Sequence, residues 1–184
     1  MRAELIERAR SGDHEAFARL VALDTDACFG IAYRILRDVD RAQDAVQQAY
    51  LSCWKELPRL RDVDRYERWL QRLLINAAYE EARRFRRWSG RVRELTDEGP
   101  GRTDASLGAV DDRLQLEQAF RQLSPEHRAV FVLHHHVGLP LAEIGTLLDI
   151  PLGTVKSRLF YATKALQGAI DAGLSATTQE VTTA

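Results

Sequence analysis

The chain has 184 residues, 45% of them hydrophobic, 29% charged, with a formal net charge of −1. That length holds one large domain or two small ones, and the apolar content suffices for packed cores, which excludes a disordered chain. No run approaches the roughly 18 apolar residues of a membrane span, and MRAELIERAR lacks the apolar stretch of a secretory signal, so no membrane insertion and a cytoplasmic location are expected.

Apolar residues recur at helical intervals from the start, and no strand-like alternation appears. Leu5, Ile6 and Ala9 share one face of a helix over residues 2–10. Ser11-Gly12-Asp13 ends it, with Asp13 as the N-cap of the next. That second helix carries Phe17, Leu20, Val21, Ile31, Ile35 and Leu36, with a bend expected near Asp24-Thr25-Asp26. A third follows Asp38-Val39-Asp40, with Val46, Ala49, Tyr50, Cys53 and Leu57 inward, and Pro58 stops it. A fourth runs from about Arg65 to Trp88, with Tyr66, Leu70, Leu73, Leu74 and Ala77 facing a core.

The periodicity then fails over 89–110, a stretch rich in Gly, Ser, Thr and charge that contains Gly99-Pro100-Gly101. A gap this long argues for a flexible linker between two domains. Beyond it come a helix over 111–122, a helix opened by Ser124-Pro125 and running to about His136, a short helix over 141–148, and a last helix from Leu152 to about Ala172. The polar tail over 176–184 is expected to be disordered. The fold class expected is all-α, in two small helical domains over 1–88 and 111–175.

Local charge carries more information than the total. Residues 83–93 hold six arginines and no acid, and 150–170 hold Lys156, Arg158 and Lys164 and no acid. Acid-free basic stretches in a near-neutral chain suit local contact with phosphates, although either one alone also fits a solvated helix face. Cys28 and Cys53 are far apart in apolar-periodic segments, which points to buried thiols in a reducing compartment. Adjacent residues on a helix point about 100° apart, so His134-His135-His136 cannot converge on one metal ion. Neither a phosphate loop nor a nucleophile motif is present. No cofactor, no metal and no enzymatic activity are expected.

The helices over 141–148 and from Leu152, joined by a tight turn, have helix-turn-helix form. Val155, Leu159, Ala162 and Leu166 make an inward stripe on the second. The opposite face presents Gly153, Ser157, Phe160 and Lys164, flanked by Thr154, Lys156 and Tyr161. Small, hydroxyl and cationic groups at the N-terminal half of an exposed helix suit a major groove; an ordinary amphipathic helix closing a bundle has the same periodicity.

The segment AEIGTLLDIPLGTVKSRLFYA closely resembles region four of sigma-70-type factors. SGDHEAFARL, YRILRDVDRAQDAVQQAYLSCWKEL and YERWLQRLLINAAYEEARRFRR resemble region two, in order and spacing. Having only these two regions, over about residues 3–172, the chain resembles the extracytoplasmic-function (ECF) group. The resemblance implies a promoter-recognition subunit whose partners are core RNA polymerase, through the clamp helices of its largest subunit and its flap, promoter DNA, and an inhibitory anti-sigma factor. It implies polymerase contact through Asp44, Gln47, Gln48 and Leu51, with Gln43 and Gln48 standing where the family often has acids. It implies reading and opening of the downstream (minus-10) element by Asn76, Glu80, Arg83, Arg84 and Arg87, aided by the loop from about Pro58 to Arg65. It implies reading of the upstream (minus-35) element by Thr154, Lys156, Ser157, Arg158, Phe160, Tyr161 and Lys164. Here Tyr161 stands where a basic residue is common, and Arg158, near the core edge, also fits a structural ion pair. Trp69 and Trp88 are candidates for base stacking, Trp69 being better suited to the core. Two other functions fit parts of the pattern: a stand-alone helix-turn-helix regulator, which would bind its site tightly without polymerase, and a mimic that sequesters an anti-sigma factor, which would bind the inhibitor without supporting transcription.

Overall fold

The computed structural model describes residues 1–96 and 112–182, with side chains described over 1–89 and 115–171. Helices α1 (Arg2–Arg10), α2 (His14–Leu36), α3 (Val39–Glu56), α4 (Tyr66–Thr96), α5 (Asp112–Gln122), α6 (Pro125–His135), α7 (Leu141–Leu148) and α8 (Leu152–Thr182) follow in order, with 3-10 turns at Leu57–Arg59 and Val63–Arg65. No strand occurs among the described residues. The chain divides into two compact units, one of Met1–Phe85 with Thr146–Asp149, the other of Arg86–Gly145 with Ile150–Ala184.

Caps set the helix starts in the first unit. The Asp13 carboxylate accepts hydrogen bonds from the Glu15 and Ala16 N–H groups at the start of α2, and Arg8 donates to its other oxygen at 2.7 and 2.9 Å. Arg37 takes a left-handed conformation, φ 57°, to end α2, and Asp38 accepts from the Arg41 N–H to begin α3. These bonds hold both aspartates below the usual carboxylate range: Asp13 chiefly through the Ala16 N–H and then Arg8, Asp38 chiefly through the Arg41 N–H and then its guanidinium. A carboxyl depressed in the folded state adds stability at pH above its unfolded value, about 3.9. That stability is lost as pH falls through the folded value. The acid limb of the melting profile is therefore expected to be shallower in Asp13→Asn/Asp38→Asn, which keeps both caps but removes both charges, when melting temperature is followed from pH 6 to pH 2.

The first core is built from Ile6 and Ala9 of α1, Leu20, Ile31, Ala32 and Ile35 of α2, Ala42, Ala45, Ala49 and Cys53 of α3, and Tyr66, Leu74, Ile75 and Ala78 of α4, all buried. Through the Asp24-Thr25-Asp26 segment α2 continues as one helix, and Asp24 is buried, paired to Arg2 of α1. Thr25 keeps its hydroxyl satisfied by donating to the Val21 carbonyl at 2.6 Å. Cys28 and Cys53 are buried free thiols. Burial raises both, Cys53 to about 12, so neither is a thiolate near neutral pH.

Two helix ends differ from expectation. α4 continues to Thr96 rather than stopping at Trp88. Ser89 donates to the Arg86 carbonyl at 3.2 Å instead of capping, and one glycine costs a helix only about 1 kcal/mol, which the helix formers around Gly90 offset. α8 likewise runs to Thr182, through most of the expected tail, in a stretch with no proline. The remainder of the expected linker, from residue 97, and the last two residues lie outside the described residues.

In the second unit, Ser124 caps α6 by accepting from the His127 N–H at 3.3 Å. Gly138, φ 81°, closes α6, with the Leu139 N–H reaching back to the Leu133 carbonyl at 2.9 Å, a glycine-dependent C-terminal motif. Ala129, Val130, Val132 and Leu133 of α6, Ile144 of α7, and Val155 and Ala162 of α8 fill the core. The α7–α8 turn depends on a close approach. Asp149 is left-handed, φ 54°, and the Ile150 N–H bonds back to the Gly145 carbonyl at 3.0 Å. A Cβ on Gly145 would meet the Ile150 carbonyl oxygen at 3.0 Å and Val155 Cγ2 at 3.6 Å. Gly145→Ala is thus expected to destabilise the second unit by about 1–3 kcal/mol and to weaken DNA binding by displacing α8, read by differential scanning calorimetry and by binding to upstream-element duplex.

Candidate nucleic-acid interface

Burying Val155, Ala162 and Leu166 turns the other side of α8 outward. Lys156, Ser157, Phe160, Tyr161 and Lys164 are exposed; Thr154 and Arg158 are half-buried. Phe160 and Tyr161 are 61% and 60% exposed, far beyond what two adjacent aromatics need for packing. The Ser157 hydroxyl donates to the Thr154 carbonyl at 3.0 Å, leaving its lone pairs facing out. Tyr161 is edge-on to His127, centroids 6.3 Å apart, which limits how it can swing. Arg158 sits toward α6. Burial pushes the Glu126 carboxyl up, but its own N–H, the Ser124 hydroxyl and the charges of Arg86 and then Arg158 bring it below its ordinary value. Glu126 takes its ion pair from Arg86 at 3.7 Å, with the half-buried Arg158 a smaller influence, whereas Lys156 and Lys164 have no ion-pair partner among the described residues. Cations with hydroxyls near a helix N-terminus can meet phosphates and base edges together.

α4 presents a second surface. Asn76, Glu80, Arg83, Arg84 and Arg87 are all exposed, opposite the buried Leu74, Ala78 and Ala82. Two of the arginines carry local partners: Arg83 pairs with Glu80 at 3.0 Å and Arg84 with the buried Glu81 at 2.8 Å. The Arg83–Glu80 pair joins two exposed groups and is worth little, so a phosphate can replace it and Glu80 becomes a holder of Arg83; Arg84 instead answers a buried carboxylate that its removal would leave uncompensated. Arg72, missed by sequence reasoning, is exposed one turn before Asn76 and extends the same stripe; its i−4 spacing from Asn76 was the available signal. Trp69 is half-buried, 6.2 Å from the Tyr66 ring, while Trp88 is 57% exposed.

On α3, Asp44, Gln47, Gln48 and Leu51 fall at i, i+3, i+4 and i+7 and all are exposed. Leu51 is 49% exposed amid polar neighbours. Leu51 is the one apolar side chain of this stripe and ends it.

The sigma-70 region 2 family model matches residues 15–89, and the sigma-70 region 4 model matches 113–166. The ECF RNA polymerase sigma factor SigL of Mycobacterium tuberculosis is 37% identical over 139 residues, 74% of this chain and 78% of SigL. This chain belongs to the ECF sigma factors. SigW of Bacillus subtilis shares 27% identity with this sigma factor over 175 residues, 88% of this chain and 92% of SigW. Among solved structures, CnrH in complex with the cytosolic domain of CnrY is 25% identical, with TM-score 0.62, covering 92% of this chain and 97% of that one. The sigma factor RpoE of Bartonella quintana, solved with the anti-sigma factor NepR, has TM-score 0.63 at 23% identity, over 84% of this chain and 96% of that one, and shares the fold. α3 and most of α4 lie within the region 2 match of the sigma factor; α6, α7 and the first half of α8 lie within its region 4 match.

Proposed function

We propose that this sigma factor docks on core RNA polymerase through Asp44, Gln47, Gln48 and Leu51, and directs it to two-part promoters in the cytoplasm. Region two, over 1–88, reads and opens the minus-10 element through α4 and the Pro58–Arg65 loop; region four, over 111–175, reads the minus-35 element through α8, the two acting as separate domains. Asn76 serves an unpaired base, and Arg72, Arg83, Arg84 and Arg87 the single-strand backbone. Thr154, Lys156, Ser157, Phe160, Tyr161 and Lys164 face the upstream duplex, with Arg158 at the edge. The chain does no chemistry of its own and is held inactive by an anti-sigma factor covering its polymerase-facing surfaces.

The observation that carries this reading is the pairing of two exposed polar and cationic helix faces, on α4 and α8, with family matches for regions two and four in that order. A stand-alone regulator would leave the α3 and α4 faces without work. Run-off transcription with core polymerase over a randomised promoter library tests it. Transcripts are expected only when the chain is added, and Asn76→Ala is expected to lose open complexes about tenfold or more while duplex binding survives. Tight, specific binding by the free chain, with no effect on polymerase, would favour the regulator instead.

A further inference from the structure

We infer that α1 is a brace that sets the shape of the Pro58–Arg65 loop, and that Arg10 and Arg2 are its positioning residues. This rests on the proposed role of that loop at the minus-10 element.

The two ends of one short, rigid helix grip the two ends of the loop. At its C-terminal end, the Arg10 guanidinium donates to the Leu60 carbonyl at 3.2 Å, a contact across 50 residues of sequence. Leu60 follows directly on the 3-10 turn at Leu57–Arg59, so this bond fixes where the chain leaves that turn. Arg10 is itself oriented by Glu7, 2.7 Å away on the same helix. At the N-terminal end, Arg2 pairs with Glu67 of α4, just past the loop, at 3.4 Å, and lies 6.0 Å over the ring of Tyr66. Arg2 is anchored in turn by the buried Asp24 of α2. Each arginine is thus held from behind while it holds the loop in front.

Between the two grips α1 approaches both 3-10 turns, but the packing beneath the second is incomplete. A partly open hollow of about 330 Å³ lies where the second turn meets the N-terminal half of α1, with Arg2, Ile6, Val63, Asp64, Tyr66 and Glu67 among its lining. Val63 is the only half-buried side chain between Arg61 and Arg65; the other four in that stretch are exposed. The loop's own order comes from Asp62, which accepts from the Asp64 N–H at 3.0 Å and pairs with Arg65 at 3.1 Å. Those bonds shape the second turn but tie it to nothing outside itself. A loop over a hollow can sink or rise unless its ends are fixed, and reading one base requires donors held to within a fraction of an ångström. The helix that supplies the fixing touches no DNA in the proposed reading, so its effect on base reading runs through the loop.

The test uses the full chain and two readouts. Hydrogen exchange of the Leu60–Arg65 amides is measured for wild type, Arg10→Ala and Arg10→Lys. Open-complex formation with core polymerase is measured over single-base substitutions of the minus-10 element. Arg10→Ala is expected to speed exchange in the loop but not in α3, and to cut discrimination at one minus-10 position about tenfold. Binding to minus-35 duplex should stay unchanged, and Arg10→Lys, which can still donate to the Leu60 carbonyl, should recover most of the discrimination. Arg2→Ala should loosen the loop from its other end. Unchanged loop exchange in both alanine variants overturns the brace, whatever transcription shows. Faster exchange with an intact base preference overturns its role in reading. A wild-type chain that gives no factor-dependent open complexes fails the sigma reading itself, while the exchange data still decide whether α1 braces the loop.

Discussion

Tyr66→Ala is expected to destabilise the first unit by about 3–5 kcal/mol, the usual loss when a buried aromatic is truncated and its cavity persists. Tyr66 is 1% exposed and leads the largest fully buried side chains. It is also the first residue of α4, so its ring joins the start of that helix to the core. The surroundings leave few ways to collapse, since Cys53 is completely buried behind it and Arg2 lies over the ring. Tyr66→Phe separates packing from polarity. The phenol oxygen has no nitrogen or oxygen partner, only the Cys53 thiol within reach, a weak bonding pair. Removing the hydroxyl should therefore change stability by less than about 1 kcal/mol. Urea denaturation followed by tryptophan fluorescence checks both variants, because Trp54, Trp69 and Trp88 all lie on α3 and α4. A Tyr66→Phe loss as large as that of Tyr66→Ala would show that the hydroxyl, not the ring, holds the unit together.

The second large effect is on DNA. Lys156→Glu is expected to weaken binding of the polymerase complex to the upstream element by about 10- to 100-fold at low salt, and to flatten the salt dependence by about one to two in slope. Lys156 is exposed and without an ion-pair partner among the described residues, so its charge is free for phosphate and its loss leaves no buried group unsatisfied. Melting should be unchanged. Arg158→Glu is the contrast: Arg158 is half-buried and near Glu126, so reversal there should lower stability as well as affinity. Filter binding across a salt series, beside a thermal melt of each variant, separates the two. Equal stability losses in both variants would contradict the division of labour assigned to them.

The helices and their inward faces were legible because burial on one side of a helix imposes a period that the sequence keeps. Asp13, Ser124 and Pro125 announced their helix starts for the same local reason. The errors came where a local rule met a distant partner. Asp24-Thr25-Asp26 reads as a solvated stretch where the helix bends, yet Asp24 is buried and Arg2, 22 residues earlier, pairs with it. The loss of apolar period from residue 89 reads as the end of the fourth helix, but a helix can outrun its buried face, and the backbone continues helical to Thr96. On the candidate surfaces, exposure followed from the helical wheel, so every assigned residue of α3 and α4 faces outward, as do Lys156, Ser157, Phe160, Tyr161 and Lys164 on α8. Which arginines have local partners did not follow, since Arg83–Glu80 and Arg84–Glu81 depend on rotamers rather than period. The Arg10–Leu60 contact joins residues 50 apart through a backbone carbonyl, which no residue pattern can announce.

The central claim is that two helical surfaces meet two different stretches of one promoter once polymerase holds them. Because Cys28 and Cys53 are buried, Asn76→Cys and Lys156→Cys can each carry a photoreactive probe attached only at the new thiol, and each labelled chain can be crosslinked to a promoter in the presence and absence of core polymerase. The α4 probe is expected to mark the unpaired strand of the minus-10 element and the α8 probe the minus-35 duplex, on the same DNA, with strong crosslinks only when polymerase is present. Crosslinks from both probes to one short site, formed equally well by the free chain, would contradict it.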